Sequence, residues 1–60
     1  MKIIQVTQVQ PGDNLVINNV LHKVDYVEPN GLAFDMQLHD PSGEKVQRSF
    51  IADAIVSVDI

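Results

Sequence analysis

The side chains of this 60-residue chain that could do chemistry are two histidines and a set of dispersed carboxylates. A catalytic histidine needs a nucleophile or a carboxylate within hydrogen-bonding reach, and strand alternation places no serine opposite His22 or His39. Alternation also puts these histidines on opposite faces, His22 toward the core and His39 toward the surface, so they do not converge as metal ligands. We therefore expect no catalytic residue, no metal and no cofactor.

Asp25 and Asp35 are predicted to be cross-strand neighbours on the outer face of a sheet. Like charges in that position reduce stability unless solvent, a cation or a basic side chain relieves them. One interpretation is a cation site or an acidic docking surface. The other, which we favour, is a solvated pair that water and salt screen, with Lys23 close by.

Two further features bear on binding. Pro11-Gly12-Asp13-Asn14 lacks the length, lysine and following helix of a phosphate loop, and is interpreted as a turn between strands. Arg48 is predicted on the core face opposite Met36, where it snorkels to the rim or marks a small polar opening for a partner carboxylate. The candidate partner-binding residues are Gly12, Asp13, Asn14, Asp25, Asp35, Gln37 and His39.

Charge and composition narrow the classes of function. Four basic and eight acidic residues give a net charge of −4, which disfavours non-specific binding to nucleic acid. A local nucleic-acid contact is left open, with Lys23, Lys45 and Arg48 as its candidates. The chain has no cysteine, and we see neither a signal peptide nor an apolar run long enough to span a membrane. A cytoplasmic protein is the expectation.

Two similar turns define the elements that position these residues. Glu28-Pro29-Asn30-Gly31 and Asp40-Pro41-Ser42-Gly43 flank a segment of alternating apolar residues. Each is typical of a three-residue hairpin loop that ends in a glycine bulge. The predicted strands are 1–9, 15–18, 20–28, 32–40, 44–50 and 55–60, with a tight turn at Asn18-Asn19 and one helical turn over residues 51–54.

The register of the central meander follows from those loops. The first loop pairs Tyr26 with Phe34 and Val24 with Met36, and the second pairs Met36 with Arg48 and Phe34 with Phe50. The outer face then ends in an apolar row that needs a neighbouring strand to cover it; this row comprises Val27, Ala33 and Ile51. We predict an all-β fold, a single SH3-like barrel over residues 1–60 with five to six short antiparallel strands.

The chain resembles the amino-terminal KOW/SH3-like domain of translation elongation factor P. The residues that carry the resemblance are Gly12, Leu15, Ile17, Val24, 28–34, Leu38, Ser42-Gly43, Val46 and Phe50. In that family the loop before the central strand carries a modifiable lysine between glycines, whereas here Pro29-Asn30-Gly31 has none, and the family's two further domains are absent. The resemblance thus implies a stand-alone barrel used for binding.

The preferred hypothesis is a non-enzymatic module that binds another protein, as an adaptor or a small regulator of a larger complex. A KOW-like barrel associated with nucleic acid is the alternative, and an acidic mimic of nucleic acid is a third. No membrane contact is expected. Homo-oligomerisation through the terminal strand Ile55–Ile60 is compatible with all three, because an unpaired strand edge invites strand addition.

Overall fold

The fold is all-β, as the sequence predicts. The computed structural model describes residues 1–59, most of which lie in one antiparallel sheet with the order β1-β6-β2-β3-β4-β5. The strands are β1 (Lys2–Gln5), β2 (Asn14–Ile17), β3 (Val20–Asn30), β4 (Ala33–His39), β5 (Lys45–Ile51) and β6 (Ile55–Asp59), and a 3₁₀ turn spans Val6–Gln8. No helix within residues 1–59 has the length and apolar character needed to cross a membrane.

Two of the predicted turns are confirmed. Asn18 and Asn19 join β2 to β3 with φ angles of 52° and 64°, the left-handed values that a two-residue type I′ hairpin requires. In the β4–β5 hairpin, Asp40 and Gly43 close the loop through a 2.9 Å bond from the Gly43 N–H to the Asp40 carbonyl. The predicted β4–β5 register is correct, with Met36 opposite Arg48.

The predicted β3–β4 register is wrong. Asn30 pairs with Ala33, so the loop contains only Gly31 and Leu32. Gly31 has a φ of 63° at the first loop position, as in a type II′ hairpin. Pro29 lies inside β3 instead of starting the turn, in a part of the strand beyond its pairing with β2, where an absent N–H is tolerated.

A β-bulge in β3 reconciles this shorter loop with the core. Val24 pairs with Leu38 and Val27 with Met36, so two residues, Asp25 and Tyr26, lie opposite Gln37. The bulge turns Val24 and Val27 inward and leaves Asp25 and Tyr26 outward. The predicted inward position of Tyr26 and outward position of Val27 are therefore both wrong, and Tyr26 is 39% exposed.

The ends of the chain differ from prediction in three places. The first strand stops at Gln5, because the chain turns at Val6, which is buried and donates its N–H to the Ala54 carbonyl at 2.9 Å. Ile51 is the last residue of β5, and a turn follows in which the Ala54 N–H donates to the Ile51 carbonyl at 3.0 Å, in place of the helical turn predicted over residues 51–54. β6 is not a free edge strand, because it pairs with β1 on one side and, at Val58 and Asp59, with β2 on the other; homo-oligomerisation through Ile55–Ile60 stays a prediction.

The core lies on one side of the curved sheet. Its buried residues are Val6, Val9, Leu15, Val24, Met36, Leu38 and Val58. Ile51, predicted to be covered by a neighbouring strand, is instead 64% exposed. Within residues 1–59, β1 and β5 are the end strands and do not pair with each other, so the sheet is not closed and the barrel stays a prediction.

Candidate functional site

A hydrogen-bonded network of polar side chains crosses the outer face, by which we mean the side of β3, β4 and β5 opposite Met36 and Leu38. Gln37 Nε2 donates to Asp25 Oδ2 at 3.2 Å, and Gln47 Nε2 donates to Gln37 Oε1 at 3.2 Å. Gln47 Nε2 also lies 3.4 Å from the Tyr26 hydroxyl, while His39 Nδ1 contacts Asp25 Oδ1 at 2.8 Å. We call these five residues the outer-face network.

Asp25 accepts two of the hydrogen bonds in this network, one from Gln37 and one from His39. Because a carboxylate only accepts, the 2.8 Å contact requires that His39 Nδ1 carry the hydrogen. The hydrogen bond from Gln37 lowers the pKa of Asp25 below its ordinary value, partial burial opposes this, and the bond from His39 lowers it further. Asp25 is thus held as a carboxylate with both oxygens engaged.

The predicted pairing of Asp25 with Asp35 does not form, because the two-residue loop pairs Asp35 with Glu28; the bulge then leaves Asp25 on the outer face beside Gln37 and His39. Asp35 instead lies opposite Glu28 and Ser49. Ser49 Oγ donates to Asp35 Oδ1 at 2.8 Å and Asn30 Nδ2 donates to Oδ2 at 3.0 Å. These two bonds lower the pKa of Asp35, the one from Ser49 more. Asp35 therefore shares the outer face with Asp25 without being its neighbour.

Basic side chains form one row at the end of the outer face. Lys23, His39 and Lys45 pair across β3, β4 and β5, and Asn14 of β2 extends the row on the far side of Lys23. Arg48 is not part of this row, because its pairing with Met36 places it on the core side of β5, as predicted. The three candidate nucleic-acid contacts are thus divided between two sides of the sheet.

The loop before β2 is fixed against β3 beside the bulge. Gly12 donates its N–H to the Val24 carbonyl at 2.9 Å, and Val24 returns an N–H to the Asp13 carbonyl at 2.9 Å. The Asp13 carboxylate accepts the Gln10 N–H at 2.9 Å. With Asn14 beside Lys23, the loop and the outer face form one continuous surface. All seven predicted partner-binding residues lie on it.

A second surface feature lies on the core side, where β5 faces the other half of the sheet. It is a mostly apolar cleft of about 360 Å³, whose lining includes Ile3, Leu15, Ile17, Val56 and Phe50 together with Arg48. β2 and β6 pair with each other only at Asn14–Asp59 and Leu15–Val58, and the two strands border the cleft. A cleft therefore lies where the sequence predicted a small polar opening at Arg48, but most of its lining is apolar.

Sequence reasoning missed Tyr26 as an outer-face residue, and it placed Gln47 on that face opposite Gln37 without naming it as a binding residue. The error at Tyr26 comes from the β3–β4 register, in which Tyr26 was assigned to the core. The available signal was the spacing of Val24 and Val27: three positions apart, they cannot both face inward in a regular strand of period two.

No group of three or more histidine, cysteine or acidic residues suited to a metal ion occurs within the described 59 residues.

Comparison of the chain with models of protein families and with curated protein sequences finds no match.

Proposed function

We propose that this protein is a non-catalytic module that binds another protein through the outer face of β3, β4 and β5. The observation that carries the proposal is the outer-face network, in which polar side chains from three strands are already fixed by hydrogen bonds. Binding costs less when the contacting side chains are ordered beforehand, because fewer rotamers are lost. A preorganised polar surface is therefore suited to a specific partner.

The composition of this face supports protein binding further. Tyr26 is 39% exposed beside Gln47, and tyrosine offers a large, rigid contact area with a hydroxyl that can bond a partner. Gln37 and Gln47 carry amide groups with free hydrogen-bonding capacity beyond the bonds already described. The basic row at one end and Asp35 with Glu28 at the other give the face opposite charges at its ends. A partner of matching polarity would dock in one orientation.

The surroundings of Asp25 and His39 support the non-catalytic role in this proposal. A hydrolytic dyad needs a nucleophile in contact with the imidazole. On the outer face the hydroxyl of Ser49 is opposite Asp35, four residues along β4 from His39, or about 13 Å at roughly 3.3 Å per residue. That hydroxyl also donates to Asp35. In our proposal Asp25 orients His39 for recognition and does not activate it for a reaction.

Nucleic-acid association is the second candidate function, and the basic row favours it. Lys23, His39 and Lys45 lie side by side across three strands, a spacing of roughly 5 Å between neighbours. Three adjacent donors can contact one phosphate group or two. The net charge of −4 limits this mode to a local contact. It predicts binding that weakens steeply as salt increases, and the absence of RNA or DNA binding at low salt would exclude it.

The experiment that tests the proposed function compares charge-reversed variants in an affinity pull-down. The tagged protein is incubated with lysate of its own source, with and without nuclease, and retained proteins are quantified by mass spectrometry; we propose the cytoplasmic fraction as the compartment to use. The test variant carries Asp25→Lys and Asp35→Lys. The matched control carries Glu44→Lys and Asp53→Lys, the same change of net charge at exposed positions in the connections that follow β4 and β5.

Each outcome separates the two candidates. A protein retained after nuclease by the wild type and the control, but lost by the test variant, supports binding through the outer face. Equal retention by both variants would remove that face from consideration. Partners that disappear with nuclease favour the nucleic-acid candidate. Amide correlation spectra of the variants establish that each remains folded.

A further inference from the structure

The cleft on the core side adjoins a free strand edge. β5 is the last strand of the sheet and, within residues 1–59, pairs only with β4. Its outer edge therefore presents main-chain N–H and C=O groups that a further strand could use. Val46, Arg48 and Phe50 alternate along the core side of β5, and the last two border the apolar cleft of about 360 Å³.

Arg48 is the one charged side chain among the residues that line this cleft. The ion pair found within residues 1–59 joins His39 to Asp25, and no carboxylate of that range lies within 4.0 Å of the Arg48 guanidinium. An arginine beside apolar side chains and without a carboxylate partner complements a ligand that brings both an apolar group and an acid. The positive charge of Arg48 therefore makes the cleft complementary to an acidic partner, although the net charge of the whole chain is negative.

We propose that the β5 edge binds an extended peptide with the pattern apolar–x–acidic–x–apolar. The peptide adds a seventh strand to the sheet. Main-chain hydrogen bonds supply affinity and alternate side chains supply specificity. Its acidic residue lies opposite Arg48, and its apolar residues lie opposite Phe50 and Val46, beside and partly within the cleft. The pattern reads the same from either end, so it holds for parallel and antiparallel addition.

The remaining peptide positions are also constrained. They lie opposite Gln47 and Ser49 on the outer-face side of β5, where a polar residue such as threonine is suited to both the β conformation and the polar neighbours. Further acidic residues are disfavoured by the net charge of −4. The inference rests on the proposed binding role and adds a second surface to it, one that does not involve Asp25 or Asp35.

A second copy of the chain is a poorer occupant of the same edge. Symmetric antiparallel pairing of two β5 strands about their centre places Arg48 opposite its own copy, and like charges directly opposite each other are destabilising. Such pairing also leaves each arginine without an acid. The acidic peptide satisfies Arg48, and self-association becomes an outcome that the test can detect.

The test titrates the ¹⁵N-labelled protein with the acetylated, amidated peptide Thr-Ile-Thr-Glu-Thr-Val-Thr and records amide shifts. We expect saturable shifts along 45–51 and at cleft residues such as Ile17. A peptide with Gln in place of Glu binds about two- to fivefold more weakly, the range of a single part-exposed ion pair. In the Arg48→Glu variant the preference reverses, and a peptide with Lys in place of Glu binds more tightly than the Glu peptide.

Two controls distinguish peptide binding by strand addition at β5 from other modes of binding. A peptide N-methylated at alternate residues, so that it cannot donate to β5, loses binding if the main chain pairs as proposed. The Asp25→Lys, Asp35→Lys variant retains peptide binding, so failure here is distinguishable from failure of the outer-face proposal. Three results would overturn the inference. The first is equal affinity for the Glu and Gln peptides, and the second is amide shifts confined to the outer face. The third is a dimer, detected by sedimentation, with β5 at its interface.

Discussion

The β-bulge at Asp25 and Tyr26 can be tested by truncating the two residues whose directions it sets. With the bulge, Val27 packs against the core and Tyr26 is outside, 39% exposed. Without it, the regular register predicted from the turns puts Tyr26 inside and Val27 outside. With the bulge, Val27→Ala should therefore destabilise the fold more than Tyr26→Ala does, and without it the order of the two should be reversed.

The expected magnitudes follow from burial. Val27→Ala removes two methyl groups from a partly buried position, at about 0.8 kcal/mol for each fully buried group, so we expect a loss of about 1–1.5 kcal/mol. Tyr26→Ala removes an exposed ring and a long 3.4 Å contact with Gln47. We expect its cost to stay below about 1 kcal/mol, since most surface substitutions change stability by about 0.5 kcal/mol or less.

Urea unfolding followed by circular dichroism measures both variants. A domain of this length has a stability of about 3–9 kcal/mol at roughly 0.05–0.15 kcal/mol per residue, so neither change should unfold it. A core aromatic truncated to alanine costs about 3–5 kcal/mol. Tyr26→Ala at that cost, together with a neutral Val27→Ala, would show that the bulge is absent and that the outer-face network is assembled differently.

Two further predictions concern the core and the carboxylates. Leu38→Ala, at a position with no exposed surface, should cost about 2.7–5 kcal/mol, whereas Leu32→Ala, 86% exposed at a loop tip, should be nearly neutral; thermal unfolding compares the pair, and equal effects would contradict the assigned core. The pKa of Asp25 is lower in the folded chain than its ordinary 3.8, so its carboxylate stabilises the fold above that pH, and this contribution is lost as the pH falls through the folded-state pKa. Asp25→Asn should therefore flatten the decrease of the urea midpoint as the pH falls below 3.8, with Asp53→Asn as the control. An unchanged pH profile would argue that the bonds from Gln37 and His39 do not form.

The sequence predicts the elements far better than the register. Local signals determine the turns: Asn18-Asn19 tolerate positive φ, and Gly43 ends a loop whose first residue, Asp40, accepts three hydrogen bonds from Ser42 and Glu44. The β3–β4 loop carries similar residues, but Pro29 is compatible with both a turn start and a strand position. The choice between them depends on which side chains fill the core, a property of all six strands together.

The positions of the candidate site residues could be predicted from the sequence where the strand is regular, but not next to the bulge in β3. Asp35, Gln37 and His39 lie on β4, whose alternation is regular, and all three are on the outer face as predicted. Asp25 reaches that face too, but with His39 and Gln37 as neighbours instead of Asp35. Alternation gives only the side of the sheet, whereas neighbours across strands require the register.

The bulge also connects the core with the binding surface. Val24 and Val27 both reach the core only because one extra residue is accommodated between them, and the same insertion sets Asp25 and Tyr26 side by side around Gln37. The bond between His39 and Asp25 links β4 to β3, and the contacts of Gln47 with Tyr26 and Gln37 extend the arrangement to the edge strand β5. A substitution that removes the bulge would therefore change the outer face and the packing of Met36 together. For this reason we expect binding through the outer face to be sensitive to changes at Val27, a residue that does not itself lie on that face.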